Sequence, residues 1–306
     1  MLAIEKQKVF SILAAKSEGS TFMSHKNIVI APCGNKADLF RTHWLKYRDE
    51  KEFDLCLLFY HEKIADPALY EQAEYFFHLK DFKWYMIDEL FKKVKPGLLD
   101  QYDYFYFLDD DIEMTTHDIN QMFTLSKAFR SSISQAALSQ DSFCSWKIFK
   151  QQPNSFCRYV GQIEVMGPLF SRDALIRCLP SFTGNRSSWG IDSVWSKILG
   201  YPKNELIVFD AVLMRHTKPV GGGELYQKLG INPHDDWNYV VKKFDAKKHD
   251  YHEYGRLQLV NANSNRVKYF FYKFNEKMNT MSRVISDYGL MTRIRNKKNF
   301  LLKKFG

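Results

Sequence analysis

The stretch "YDYFYFLDDDIE" (residues 102–113) runs an almost unbroken series of apolar and aromatic residues into Asp109, Asp110 and Asp111. The run predicts a buried strand, and in open α/β sheets ligands bind outside the carboxyl ends of the strands. Adjacent carboxylates repel one another unless a cation or solvent offsets their charge. Because residues two apart in an extended segment point the same way, Asp109 and Asp111 are candidates for holding one divalent cation. The structural alternative is an acidic loop that caps the next helix, with Asp118 as its N-cap.

Strand and helix patterns alternate on both sides of this stretch, which predicts a mixed, mostly parallel α/β sheet flanked by helices. With 45% hydrophobic residues the chain can bury a large core. No apolar run reaches the ~18 residues of a membrane-spanning helix. The strand candidates are "NIVIAPCGN", "FDLCLLFY", "SISQAALS", "QIEVMGPLFS" and "LIVFDAVLMRH". The helix candidates are "KADLFRTHWLKYRD", "KWYMIDELFKKV", "RDALIRCLPSF" and "IDSVWSKILG".

Charge divides the chain near residue 240. Residues 1–240 hold 28 Lys and Arg against 30 Asp and Glu, whereas residues 241–306 hold 16 against 5. The segment "VKYFFYKFNEKMNTM" predicts a helix packed on the main domain. The last segment, "TRIRNKKNFLLKKFG", alternates basic clusters with apolar anchors, which is typical of binding to an anionic membrane surface. Nucleic acid is not expected as a partner, because no recognised module is present and the acidic cleft would repel phosphodiesters.

The N-terminus and the cysteines bear on location. The first 20 residues lack the basic region and uninterrupted apolar core of a signal peptide. The five cysteines are widely spread and form no CxxC pair, so neither a zinc site nor a disulfide framework is predicted. We therefore expect a cytoplasmic protein that lies peripherally at the inner face of the cell membrane.

Two further segments carry side chains suited to chemistry. In "FDAVLMRHTKPVGGG", His216 fits Mn2+ alongside carboxylates, and Arg215 or Lys218 is suited to neutralising a diphosphate. Alone, a histidine at a strand end more often has a structural role. In "GNRSSWGIDSVW", Asp192 is either a general base beside Trp189, an aromatic platform for a sugar, or a first-turn carboxylate favoured by the helix dipole.

In their order, "FLDDDIE", "ISQAAL", "GQIEVMGPLFSRDA", "WGIDSVW" and "VFDAVLMRHTKPVGG" resemble a nucleotide-sugar glycosyltransferase of the GT-A fold. More narrowly, they are similar to a family of plants and bacteria whose label relates it to lysine-ketoglutarate reductase trans-splicing. The resemblance runs from about Asn27 to Trp237. The resemblance implies a GT-A-like, Rossmann-like catalytic domain, and the change of charge near residue 240 sets its predicted bounds at residues 1–240, followed by a helical, basic and amphipathic extension over residues 241–306.

The resemblance also implies roles for individual residues. Asp109 and Asp111 fall on the "DxD" pair of GT-A enzymes and His216 on their third metal ligand, for Mn2+ or Mg2+. Asp192 falls on the catalytic acid–base residue. Taken together, the residues and the resemblance predict that the nucleotide sugar is bound by Ala31, Pro32, Cys33, Asn35, Asp109, Asp110 and Lys218, and the acceptor by Glu164 and Trp189; Lys218 is predicted from its charge and position and not from the resemblance.

These assignments predict a metal-dependent glycosyltransferase, hexosyltransferase-like, that moves a sugar from a UDP- or GDP-linked donor. Its acceptor would be a glycan or lipid-linked glycan in cell-surface polysaccharide synthesis. Two alternatives remain open at this point. Acidic clusters with a histidine also build metal-dependent phosphoesterases, and Trp189, Trp195 and Trp237 suit a non-catalytic carbohydrate-binding protein.

Overall fold

The structure of the protein, a computed structural model, describes residues 26–220, 230 and 232–259. Within them the strands are β1 Asn27–Cys33, β2 Asp54–Phe59, β3 Tyr75–His78, β4 Tyr104–Phe107, β5 Ile112–Glu113, β6 Ile133–Leu138, β7 Ser155–Val160, β8 Leu169–Ser171, β9 Leu206–His216 and β10 Glu253–Gln258. The α-helices are α1 Lys83–Glu89, α2 Leu98–Gln101, α3 Thr116–Phe129, α4 Arg172–Cys178, α5 Ile191–Ile198 and α6 Pro233–Lys243. Shorter helical turns lie at Phe40–Trp44, Arg48–Glu50, Pro67–Tyr70, Leu90–Val94, Lys147–Phe149 and Leu179–Ser181.

The strands form one sheet in the order β10-β7-β9-β6-β8-β4-β1-β2-β3, and β5 pairs with the end of β9. The pairs β1–β2, β1–β4, β2–β3 and β6–β9 are parallel. Strands β5, β7 and β8 run against their neighbours, so the other seven of the described strands point the same way. The predicted mixed, mostly parallel sheet flanked by helices is confirmed.

The central strands are buried along nearly their whole length. All six residues of β6 are buried, as are all but the first of β2 and all but Pro32 of β1. Near-continuous apolar runs of this kind are typical of strands covered on both faces. Helix α3 begins with a capping box, in which Thr115 is the N-cap and Asp118 the third helical residue. The prediction of Asp118 as the N-cap was wrong, because Thr115 accepts the N–H of Asp118 and its own N–H is bonded in return.

Two predicted elements are shorter than their patterns indicate. The helix expected over "KADLFRTHWLKYRD" is reduced to two short turns, and the carbonyl of Trp44, at the end of the first, accepts the Thr116 hydroxyl at 2.8 Å. In "QIEVMGPLFS" only Leu169–Ser171 is a strand. Pro168, which has no N–H to give to a ladder, precedes that strand, and residues 162–168 form a loop.

Strand β9 carries an insertion that sets the position of its end. Its register with β6 changes between the pairs Ala136–Phe209 and Ala137–Leu213, so residues 210–212 have no partner on β6. Asp210, in this bulge, accepts from Nε and Nη2 of Arg158 on β7 at 2.8 and 3.0 Å. Both side chains are almost wholly buried, at 1% and 0% exposure. The bulge and its ion pair therefore lie directly before the last residues of β9, and the strand ends at His216.

The chain beyond residue 240 contributes to the same sheet, because β10 pairs antiparallel with β7. The predicted helical stripe over residues 267–281 and the basic segment that follows lie outside the described residues. All five cysteines are free thiols in the structure. Among the described residues, no helix combines the length and apolar character needed to cross a bilayer.

Candidate active site

One cavity of about 250 Å³ opens at the carboxyl ends of the parallel strands. Asp109 and Asp111 reach it directly after β4, and His216 reaches it at the end of β9. Seven of the residues singled out from sequence line it together, namely Asp109, Asp111, Glu164, Trp189, Asp192, His216 and Trp237. The cavity therefore brings together the residues whose side chains are suited to binding or catalysis.

The acidic triplet is a turn and not a continuation of the strand. The N–H of Ile112 donates to the carbonyl of Asp109 at 3.1 Å. The turn leaves Asp109 and Asp111 in the cavity lining, while the carboxylate of Asp110 accepts from the hydroxyl of Tyr60 at 3.1 Å. Burial, and then the charge of Asp111, raise the pKa of Asp110 to about 6. Asp110 thus lies apart from the other two, toward the end of β2.

Asp111 and His216 form a buried pair. Oδ1 of Asp111 lies 3.3 Å from Nε2 of His216, an ion pair that leaves this buried oxygen without a hydrogen bond. Burial alone would lower the pKa of His216, but Asp111 outweighs it and raises that pKa. Burial would likewise raise the pKa of Asp111, but His216 and Lys218 bring it below its usual value. Nδ1 of His216 is 2.9 Å from the carbonyl of Phe143, so Nδ1 carries a proton and Nε2 faces Asp111.

This pair fits a divalent cation. The ring of His216 is oriented by a carbonyl on its far nitrogen, as metal-ligating histidines usually are. Mg2+ is usually held by one or two carboxylates together with substrate phosphates, and imidazole joins carboxylates around Mn2+. Across residues 26–220, 230 and 232–259, no three His, Cys, Asp or Glu side chains group as a ready-made metal cluster. In the described cavity lining, Asp111 and His216 are a pair of side chains that could hold such an ion together with ligands from a substrate.

Asp109, the third predicted ligand, is engaged by a lysine. Nζ of Lys83 donates to Oδ1 of Asp109 at 2.6 Å and to the carbonyl of Val165 at 2.8 Å. Burial raises the pKa of Asp109 even though Lys83 acts in the opposite direction. The negative charge of Asp109, the first carboxylate of the triplet, is therefore offset by the ammonium of Lys83.

Glu164 and Asp192 form a second acidic group in the cavity. Oε2 of Glu164 is buried with no hydrogen-bond partner, and the backbone N–H of Glu164 donates to Gln135 Oε1 at 2.8 Å. Burial and then the charge of Asp192 raise the pKa of Glu164 to about 8. Burial also raises the pKa of Asp192 to about 6, although Oδ1 accepts the N–H of Ser193 at 2.9 Å. At neutral pH Glu164 is thus mostly a neutral acid and Asp192 mostly a carboxylate.

Besides the core residue Trp84, the cavity is lined by four aromatic residues that we call the aromatic wall: Trp146, Trp189, Trp237 and Tyr251. Trp146 stacks on Tyr251 with ring centroids 4.5 Å apart, and Trp189 lies edge-on to Trp237 at 5.9 Å. The buried Nε1 of Trp237 has no hydrogen-bond partner. A Cβ on Gly190 would lie 2.0 Å from Cδ1 of Trp237, so only glycine allows this approach.

Other predicted residues lie outside the cavity. Ala31 and Cys33 are buried in β1, next to β4, and Pro32 is half-buried. The side chain of Asn35 instead donates to the carbonyl of Lys63 and accepts the N–H of Ala65, both at 2.9 Å.

Lys218 and Trp195, which were also predicted to belong to the site, lie outside the cavity lining. Lys218 is 63% exposed, and its Nζ lies 3.8 Å from Oδ2 of Asp111. Trp195, one of the three predicted sugar-binding indoles, is buried in the core, edge-on to Trp84 at 5.1 Å. Among the cavity residues that sequence patterns missed are Lys83, Trp146 and Tyr251, none of which belongs to a motif with recognisable spacing.

Three solved structures that match the chain are the following. GalNAc-T7, solved with UDP, GalNAc and Mn2+, matches with a TM-score of 0.52 and 10% identity, over 72% of this chain and 48% of that one. The S. aureus TarS fragment 1-349, solved with UDP-GlcNAc, matches at 0.45 and 12% identity, over 71% and 65%. A putative nucleotide-diphospho-sugar transferase from Desulfovibrio desulfuricans G20 matches at 0.40 and 9% identity, over 72% and 98%.

The likeness to GalNAc-T7 shows that the fold is of the GT-A type, as predicted from sequence. The chain spans 65% of the TarS fragment and about half of GalNAc-T7. No curated protein matches the chain. A family model described as "Protein of unknown function (DUF707)" matches residues 5–258, and the chain therefore belongs to the DUF707 family.

Proposed function

We propose that the protein is a metal-dependent glycosyltransferase that moves a sugar from a UDP- or GDP-linked donor to a glycan acceptor. The observation that carries the proposal is the meeting of the Asp111–His216 pair with Glu164, Asp192 and the aromatic wall in one cavity. That cavity lies outside the carboxyl ends of the parallel strands, where open α/β sheets bind ligands. The GT-A type of fold supports the same reaction class.

Asp111 and His216 would hold Mn2+ or Mg2+ against the diphosphate of the donor. The bound ion would supply Lewis-acid stabilisation of the negative charge that develops on the leaving phosphate. The pair is preorganised for this, because the Phe143 carbonyl fixes the ring of His216 and the free Oδ1 of Asp111 is already buried.

In an inverting reaction Asp192 would be the general base. Its pKa of about 6 keeps it ionised at neutral pH, so it can accept the proton of an acceptor hydroxyl. The hydroxyl oxygen then attacks the anomeric carbon, and the bond from that carbon to the phosphate oxygen breaks with its electron pair left on the diphosphate. Glu164, neutral at the same pH, would donate a hydrogen bond to a sugar hydroxyl. Two carboxyl groups with separated pKa values are typical of such divided roles.

The aromatic wall and Trp189 in particular would hold the acceptor sugar. Aromatic faces give a large apolar contact, and the unpaired Nε1 of Trp237 offers a hydrogen bond at its edge. We infer that the acceptor is a glycan or a lipid-linked glycan of a surface polysaccharide.

The test is a screen of UDP- and GDP-sugars for Mn2+-dependent hydrolysis and transfer, with Asp111→Asn against Asp110→Asn. We expect Asp111→Asn to abolish Mn2+-dependent nucleotide binding and Asp110→Asn to change it little, because Asp110 lies outside the cavity lining. If the two variants changed Mn2+-dependent nucleotide binding equally, the assignment of Asp111 to a metal site would be wrong. Release of phosphate from a phosphomonoester without use of any nucleotide sugar would favour a phosphoesterase, and sugar binding without turnover a carbohydrate-binding protein.

We further propose that a basic extension binds an anionic membrane surface; it was predicted to follow a catalytic domain of residues 1–240, but Tyr251 lines the cavity and β10 belongs to the sheet, so the catalytic part continues beyond residue 240. Strand β10 extends the catalytic sheet to Gln258, so the membrane-binding part would follow it. The full-length protein should co-sediment with anionic vesicles at low salt and be released by high salt, whereas a chain truncated after Asp287 should stay in solution. Unchanged sedimentation of the truncated chain would refute the membrane role.

We also infer that DUF707 is the family to which the sequence resemblance pointed. The presence of the same five ordered segments across DUF707 members is the observation that would support this inference, and their absence would contradict it.

A further inference from the structure

The described residues that line the cavity carry an excess of negative charge. Four carboxyl groups line it, and because Glu164 is mostly neutral at pH 7, three carboxylates (Asp109, Asp111 and Asp192) face the two cationic side chains Lys83 and His216. The proposed donor brings a diphosphate, which is itself strongly anionic. Positive charge close to that diphosphate, in addition to the cation proposed between Asp111 and His216, would therefore favour binding of the donor.

Lys83 is built into the cavity wall. It is the first residue of α1, its side chain is only 10% exposed, and its Nζ lies 5.0 Å from the ring centre of Trp84. Two of its three N–H donors are used, by Asp109 Oδ1 and the Val165 carbonyl. Within the part of the chain that the structure describes, the third has no acceptor. A partly desolvated ammonium held in this way acts more strongly on an anion than an exposed one.

We propose that Lys83 binds the diphosphate of the donor and offsets the charge that develops on it when the glycosidic bond breaks, an inference that rests on the proposed function. Asp109 and the Val165 carbonyl hold the ammonium in place, so Asp109 acts through Lys83. In the reaction the anomeric carbon–oxygen bond breaks, its electron pair stays on the diphosphate oxygen, and Lys83 keeps its protons. Lys218, which the sequence assigns to the diphosphate, is 63% exposed and lies outside the cavity lining.

The simpler alternative gives Lys83 a structural role, in which it only neutralises Asp109. The two roles differ in which ligands lose affinity. A diphosphate-binding lysine affects ligands that carry phosphate, whereas a structural lysine affects every ligand of the cavity and the stability of the fold.

The experiment measures dissociation constants for UDP, GDP, uridine, guanosine and inorganic pyrophosphate, with EDTA and with Mn2+. Lys83→Met is compared with Lys83→Arg and with Lys80→Met, a control at an exposed lysine that pairs with Glu62. We expect Lys83→Met to weaken diphosphate and pyrophosphate binding about 10- to 100-fold, the loss typical of a charge-assisted hydrogen bond. Nucleoside affinity should stay within a few-fold of wild type, and Lys83→Arg should recover most of the loss.

Each outcome separates the inference from the function on which it rests. If UDP or GDP binds and Lys83→Met binds it as tightly as wild type, the inference is overturned while the proposed function stands. Equal loss of nucleoside and diphosphate affinity, or unfolding of Lys83→Met together with unaltered binding by Lys83→Gln, also overturns it. Lys83-dependent pyrophosphate binding with no affinity for either nucleotide supports the anion site and contradicts the glycosyltransferase. No binding of any probe by wild type contradicts both.

Discussion

Replacing Glu164 with glutamine should make the folded protein more stable at alkaline pH. Glu164 is 5% exposed, and its pKa rises from the ordinary 4.5 to about 8 when the chain folds. The folded state binds the proton of Glu164 more tightly than the unfolded state does. The resulting contribution to the free energy of unfolding is present in full below pH 4.5 and is lost as the pH rises through about 8. At about 1.4 kcal/mol per pKa unit, roughly 4 kcal/mol of the wild-type stability should be lost between about pH 5 and 9. Glutamine cannot ionise, so the variant lacks this loss.

The assay is chemical denaturation of wild type and Glu164→Gln across that pH range, with thermal melts in parallel. The quantity of interest is the difference between the two proteins, since other groups titrate equally in both. For a chain of this size it corresponds to a relative shift in melting temperature of about 8 °C. Glu71→Gln, at an exposed glutamate, is the matched control. If the difference between wild type and Glu164→Gln does not change with pH, Glu164 is not held in a buried, proton-binding environment.

Three further variants test the site and its support. Asp192→Asn should keep donor binding near wild type while transfer falls about 100-fold or more, and the wild-type rise in rate centred near pH 6 should vanish from its pH–rate profile. Gly190→Ala should lower the melting temperature well beyond Gly200→Ala, since both have a φ of +83° but only the first would meet a neighbouring indole; equal losses would contradict the packing argument. Arg158→Met should lower the free energy of unfolding, measured by urea denaturation, by about 3–5 kcal/mol, because it leaves a buried carboxylate uncompensated. Replacing both Arg158 and Asp210 with apolar residues should recover most of this loss. If stability is not recovered, the broken ion pair is not the cause.

The parts of the fold that local patterns specify were predictable. The runs that became β1, β2 and β9 are long and apolar, and the acidic triplet follows β4 directly, so both the sheet and the edge that carries the cavity were within reach of the sequence. Strand β7 was missed because "SFCRYV" places a charged residue in the middle of a buried strand. The burial of Arg158 makes sense only with Asp210, which lies 52 residues away and in a bulge.

The candidate site was predictable where one short segment carries both the residue and its setting. Asp109, Asp111 and Asp192 each follow or open a recognisable element. Lys83 carries no such signal, since a lysine in the first turn of a helix usually faces solvent. Tyr251 comes from a loop next to an edge strand that the sequence did not indicate. The sequence therefore predicts the carboxylates of the cavity but not the cation and aromatic rings placed around them by tertiary contacts.

The pairing of β10 with β7 has a practical consequence for producing the protein. A shortened chain that ends at residue 240, where the charge balance changes, would keep most of the catalytic residues but lack β10. The N–H and C=O groups of β7 that face β10 would then be unpaired at the border of the sheet, which is a template for pairing with another chain. Such a fragment should aggregate on expression, whereas one that ends beyond Gln258 keeps this border covered.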